Sequence, residues 1–120
     1  MALPVARLLN ERTVQCHVAN ISSAGSAFTV APCKGTIVKL WSVIHSTISA
    51  GDNTVTTKIA GTAITGGSIT IANSGSAAGD VDSATPTGAN LVYEGQNIEF
   101  AYTGSTDTCP ATFLATIRQN

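Results

Sequence analysis

Residues 35–87, GTIVKLWSVIHSTISAGDNTVTTKIAGTAITGGSITIANSGSAAGDVDSATPT, set Ile-, Val- and Thr-rich runs against tight Gly turns. β-Branched side chains pack well on a pleated surface and crowd the turns of a helix, so such runs favour extended chain. In 35–48, counting by twos puts Val38, Leu40, Ile44 and Ile48 on one side and Ile37, Trp41 and Val43 on the other. Apolar groups on both sides predict a strand covered twice, by its own core and by a second sheet or a neighbouring subunit. AGDN then turns the chain, and Val55, Thr57 and Ile59 alternate with Thr54, Thr56 and Lys58 as a half-buried strand. The pair Gly66-Gly67 reads as a two-residue hairpin turn, because such turns need positive φ. From 72 to 90 the alternation stops, and a polar run of about 19 residues predicts a long loop.

On either side of this stretch the pattern continues. TVQCHV (13–18) and AFTV (27–30) are short extended segments separated by the turn-forming ISSAGS. LVY, then NIEFAY with Ile98, Phe100 and Tyr102 on one side, then ATFLATIRQ with Phe113, Ala115 and Ile117 on one side, complete the set. About eight strands at 8–12-residue spacing, with no amphipathic helix, predict an all-β, single-domain β-sandwich or β-tulip/jelly-roll-like barrel. Residues 1–12 read as an extended N-terminal arm and 13–120 as the β-domain. The arm carries Leu3, Val5, Leu8 and Leu9 in no strand or helix pattern that would bury them.

Composition removes several function classes. Lys and Arg total 6 and Asp and Glu total 7, for a formal net charge of −1. Displacing counterions from nucleic acid needs a clustered basic face, which so few cations cannot build. Charged residues are 11% of the chain, against roughly 25% in an average domain, so self-repulsion is weak and an assembled state suits it. No run approaches the roughly 20 apolar residues of a membrane-spanning helix. MALPVARLLNERT lacks the basic start and long apolar stretch of a signal peptide, which predicts synthesis in the cytosol.

Each residue set that suggests chemistry has a simpler explanation. Cys16-His17 with Cys33 and Cys109 lacks the paired spacing of zinc ligands. Cys33 and Cys109 each sit beside a proline at a strand start and can bridge only if those starts are adjacent; the default is three free thiols. Asp80 and Asp82 form a D-x-D pair without the further oxygens of a calcium loop. No phosphate cradle or nucleophile elbow occurs, and Glu94 and Glu99 fall on different sides of a turn. Aromatic residues are 5% of the chain, thin for a sugar-stacking platform. The expectation is a non-enzymatic protein without cofactor or metal.

Four segments, TVAPCKGTIVKLWSVI, DNTVTTKIAGTAITGGSITIANSGSAAGDVDSATPT, NLVYEGQNIEF and ATFLATIR, together resemble the strand and turn order of tailed-phage capsid decoration (cement) proteins. The resemblance spans residues 29–118. It implies a β-sandwich protomer that trimerises on the outer head surface of a virion and clamps the major capsid protein, with no cofactor and no catalysis. Cys33, Cys109 and Trp41 stand outside the shared pattern. Under this reading Ile37, Trp41 and Val43 are expected at a homotrimer interface. Leu3, Val5, Arg7, Leu8 and Leu9 in the arm, with Asp80 and Asp82 in the long loop, are expected to touch the capsid. The alternative is a receptor- or glycan-binding β-module of a head fibre or tail tip.

Overall fold

The computed structural model describes residues 10–119. Nine strands make two antiparallel sheets: β1 Glu11–Val18, β2 Gly25–Val30, β3 Gly35–Ile44, β4 Asn53–Ile59, β5 Thr62–Ile71, β6 Val81–Ala84, β7 Leu91–Val92, β8 Asn97–Tyr102 and β9 Ala111–Gln119. One sheet runs β1-β9-β3-β6, with β7 pairing the first two residues of β3; the other runs β2-β8-β4-β5. This is the expected sandwich. The residues that alternate in sequence meet between the sheets: Val55 and Ile59 from β4, Ile98 and Phe100 from β8, Phe113 and Ile117 from β9. Phe100 and Phe113 stack across the gap with centroids 5.3 Å apart, and Tyr102 adds a second contact to Phe113 at 6.2 Å.

In β3 the two-sided apolar pattern has a local cause. Ile37 pairs Ile117 and Lys39 pairs Thr116, so Val38 is the extra residue of a β-bulge. A bulge resets the alternation, and Ile37 joins Leu40, Ser42 and Ile44 on the core side, fully buried. The assignment of Ile37 to a subunit interface is therefore corrected: it belongs to the protein's own core. Trp41 and Val43 keep the outward parity.

Gly66-Gly67 is not the hairpin turn. The β4–β5 turn is Ala60-Gly61, with φ of 48° and 88°, the doubly left-handed backbone of a type I′ turn. The glycine pair instead sits in a wide bulge, where the register passes from Thr56↔Ser68 to Lys58↔Ala63. Gly66 takes φ 74°, and a Cβ there would stand 3.2 Å from Thr85 O and Thr87 N. The bulge throws Thr65 out to bridge Gly88, with Thr65 N donating to Gly88 O and Thr87 N to Thr65 O, both at 2.9 Å.

That bridge fastens the segment expected as a long loop. Residues 72–90 run along the free edge of β3: Gly79 N donates to Ile44 O, β6 pairs Leu40 to Val43, and Asn90 Nδ2 donates to Ile37 O at 2.8 Å. β6 is four residues long and its inward positions are Asp82 and Ala84, so no apolar alternation marks it in the sequence. At the other end of the chain β1 begins at Glu11, whose carboxylate pairs with Arg118 at 2.8 Å; Glu11 and Arg12 are thus strand, not arm. Leu3, Val5, Arg7, Leu8 and Leu9 lie outside the described residues.

The strand register also decides the cysteines. β3 and β9 run antiparallel from Gly35↔Gln119 to Ile44↔Ala111, which puts Cys33 and Cys109 at opposite ends of a ladder about 30 Å long. A disulfide needs Cα atoms within about 7 Å, so the adjacency on which a possible Cys33–Cys109 bridge depended is absent within one chain, and all three cysteines are free thiols. Cys109 Sγ donates to Ser46 O at 3.3 Å.

Two polar features of the loops and core give measurable expectations. Asp107 accepts from Ser49 N, from Ala50 N at 3.1 Å and from Ser49 Oγ at 3.2 Å. Those donors, Ser49 N–H first, hold its pKa below the ordinary carboxylate value. A carboxylate favoured by folding stabilises the native state above the unfolded pKa and loses that contribution as pH falls through the lower, folded one. Asp107→Asn should lower the melting temperature at pH 7, and thermal melts should show the difference shrinking as pH falls below the ordinary carboxylate value of about 3.9. A gap that stays constant with pH would contradict the assignment. In the core, Thr57 Oγ1 is fully buried and meets no hydrogen-bond partner among the described residues. Thr57→Val should raise stability by about 1 kcal/mol, read as a shift in urea midpoint; a loss of that size would mean the hydroxyl is satisfied.

Candidate functional site

The outer face of the β1-β9-β3-β6 sheet gathers the outward residues of four strands. Register places Gln15, Leu114, Trp41 and Ser83 in one row across β1, β9, β3 and β6. The next row is His17, Thr112, Val43 and Val81, and on the other side Thr13, Thr116 and Lys39 line up. The middle of the face is therefore apolar, Trp41, Leu114, Val43 and Val81 side by side, with hydroxyl, amide and imidazole groups around it. Trp41 is 36% exposed and Val81 60%.

The polar groups hold one another in place. Lys39 Nζ lies 5.5 Å from the Trp41 ring centroid and donates to Thr85 Oγ1 at 3.0 Å, so its ammonium bridges the indole and the 72–90 segment. Trp41 Nε1 reaches Thr116 Oγ1 at 3.5 Å, and Thr116 Oγ1 is 3.3 Å from Thr13 Oγ1. His17 Nδ1 and His45 Nε2 both approach Thr112 Oγ1 at 3.1 Å. On a regular sheet these groups are preorganised, and an indole flanked by short polar side chains suits a broad, mostly neutral surface.

The acidic pair is arranged differently from the sequence expectation. Asp82 is in register with the buried Ser42, on the inward parity of edge strand β6. Burial first, then the neighbouring Asp80 charge, raises its pKa. Asp80 Oδ2 accepts from Ala77 N at 2.8 Å, closing its own turn. A charge at an inward position of an edge strand discourages pairing with another edge, and Asp82, half-buried, occupies such a position. Cys16 takes the inward parity beside outward His17, and burial pushes its thiol up to about 11; the thiolate that zinc prefers is disfavoured there. No group of three or more His, Cys, Asp or Glu able to hold a metal occurs among the described residues.

Two residues of this face, Trp41 and Val43, were legible in the sequence; Leu114, Val81 and the His17–His45 pairing were not. Alternation along 111–119 puts Leu114 on the side away from Phe113, but nothing in the chain says that β9 lies between β1 and β3. Elsewhere, Phe28 and Val30 are 58% and 54% exposed on edge strand β2, and Tyr93 is 49% exposed with Lys34 Nζ 5.1 Å from its centroid.

No protein-family model matches the sequence, and no curated protein matches it. Solved structures do share the fold. A chain of the cyanophage Pam1 capsid asymmetric unit superposes with a TM-score of 0.59 at 15% identity, over 92% of this chain and 86% of that one. The carbohydrate-binding module CsCBM6-3 of Clostridium stercorarium, solved with cellobiose, gives 0.54 at 13% identity, over 92% and 82%. The family 43 arabinoxylan arabinofuranohydrolase of Bacillus subtilis gives 0.57 at 12% identity, and the match spans 87% of this chain but 21% of the hydrolase. At these identities the likeness shows a β-sandwich.

Proposed function

We propose that this protein is a structural component of a phage virion, a decoration subunit that binds the outer capsid surface as a homotrimer and stabilises the head. The observation that carries this reading is the outer face around Trp41, an apolar centre on four regular strands with a single lysine among its rows. Interfaces between proteins have this composition, aromatic and uncharged at the middle and polar at the rim. The two-way likeness to a capsid-derived chain of similar size supports the same reading. In it, Trp41 and Val43 meet neighbouring subunits. The major capsid protein is gripped by Leu3, Val5, Arg7, Leu8 and Leu9 of the arm and by the surface of residues 72–90. Three modest contacts made together hold more tightly than any one alone.

Co-sedimentation with expanded phage heads tests this, alongside light scattering. The expected result is a trimer that saturates heads, and a Trp41→Glu variant that stays folded but is monomeric and no longer retained. A monomeric wild type that ignores heads rejects the proposal. One observation favours a second reading, glycan binding: Trp41 lies in a row with the Ser83 hydroxyl beside it and the Gln15 amide beyond Leu114. A change in Trp fluorescence with neutral polysaccharide, without capsid retention, would select it.

A further inference from the structure

Beside the Trp41 patch, the same face holds the protein's two histidines. His17 stands on β1 and His45 directly follows β3, with β9 running between them. The residue in the gap is Thr112, in register with His17 on one side and Val43 on the other. Threonine is short, so the two exposed imidazoles lean over it, with ring centroids 5.6 Å apart and planes tilted by 58°. His17 Nδ1 and His45 Nε2 each stand 3.1 Å from Thr112 Oγ1. Two imidazole nitrogens thus converge on one point above the sheet.

We propose that His17 and His45 form a two-nitrogen chelate for a divalent transition-metal ion of the Cu²⁺, Ni²⁺ or Zn²⁺ class, seated over Thr112. Imidazole is a preferred ligand for these ions. Hard cations such as Ca²⁺ need several oxygen ligands, and no third His, Cys, Asp or Glu joins the pair among the described residues. Metal–nitrogen bonds of about 2.0–2.1 Å put two ligand nitrogens about 3.4 Å apart in a tetrahedral site. Both nitrogens stand 3.1 Å from the same oxygen, and rotation of the two exposed side chains has to bring them to that spacing. Thr112 has one hydroxyl proton, so without metal it can donate to only one ring and must accept from the other. A bound ion takes the hydroxyl's place as the shared partner, and each ring turns a lone pair toward it. Water fills the remaining coordination positions.

The chelate makes a sharp prediction, because the second imidazole is delivered at high effective concentration once the first is bound. Calorimetric titration of the full chain with CuCl₂ and NiCl₂ should give one ion per chain. His17→Gln and His45→Gln should each weaken binding about tenfold or more, and the double variant should bind little worse than either. Circular dichroism should show all three variants folded, since both rings are exposed. Electron paramagnetic resonance of the Cu²⁺ complex should report two nitrogen ligands in the wild type and fewer in each single variant. Equal affinity in wild type and single variants, or two independent weak ions per chain, would overturn the proposal.

Discussion

Phe113→Ala should cost about 3–5 kcal/mol of stability, the range for truncating a fully buried phenylalanine. For a chain of this length that is a fall of roughly 12–20 °C in melting temperature. The expectation rests on what the ring does rather than on its burial alone. Phe113 projects from β9, the strand between β1 and β3, and meets Phe100 and Tyr102 of the opposite sheet. Its removal leaves a void between the sheets with aromatic walls that cannot collapse without moving the ladder. Phe113→Leu keeps most of the volume and should cost well under half as much. Urea denaturation of the two variants checks this; a loss below about 1 kcal/mol for the alanine would mean the sheets close over the void.

Asn53→Ala is the second large effect, expected at about 2–4 kcal/mol from buried groups left without partners. Asn53 opens β4, fully buried, and its amide donates to Ile21 O at 3.0 Å. Its Oδ1 accepts from Thr103 N at 3.1 Å and Gly104 N at 3.2 Å. One side chain therefore ties the β1–β2 connection, the start of β4 and the β8–β9 connection together at one end of the sandwich. Alanine strands Ile21 O and Gly104 N; Thr103 N keeps Thr54 O at 3.1 Å. Asn53→Asp should also destabilise at neutral pH, because it removes the donor to Ile21 and buries a charge. Thermal melts of both, set against Thr57→Val, separate a buried polar group with partners from one without. A neutral Asn53→Ala would show that water reaches these backbone groups.

Much of the fold could be read directly. The alternation in β4, β8 and β9 identified Val55, Phe100 and Phe113 as core, because a strand with one face buried repeats every two residues. Reading was least secure where the alternation was interrupted. The bulge at Val38 moved Ile37 to the core side, and the excursion at Gly66-Gly67 was mistaken for a turn while the turn itself lay at Ala60-Gly61. An inserted residue changes which face every later side chain occupies, and no composition signal marks it.

The class of fold, the core of the central strands and the low charge of the surface are all written in the chain. These are properties of residue type and of period along one strand. Which strands are neighbours is settled by folding in three dimensions, and the candidate site depends on that order. Trp41 and Leu114 share a row, Cys33 and Cys109 lie at opposite ends of a ladder, and the polar run 72–90 becomes the edge of a sheet, all through pairings between residues far apart in the chain. His17 and His45 meet for the same reason: β9 returns from the end of the chain to run between β1 and β3, and the short side chain of Thr112 leaves room for both rings.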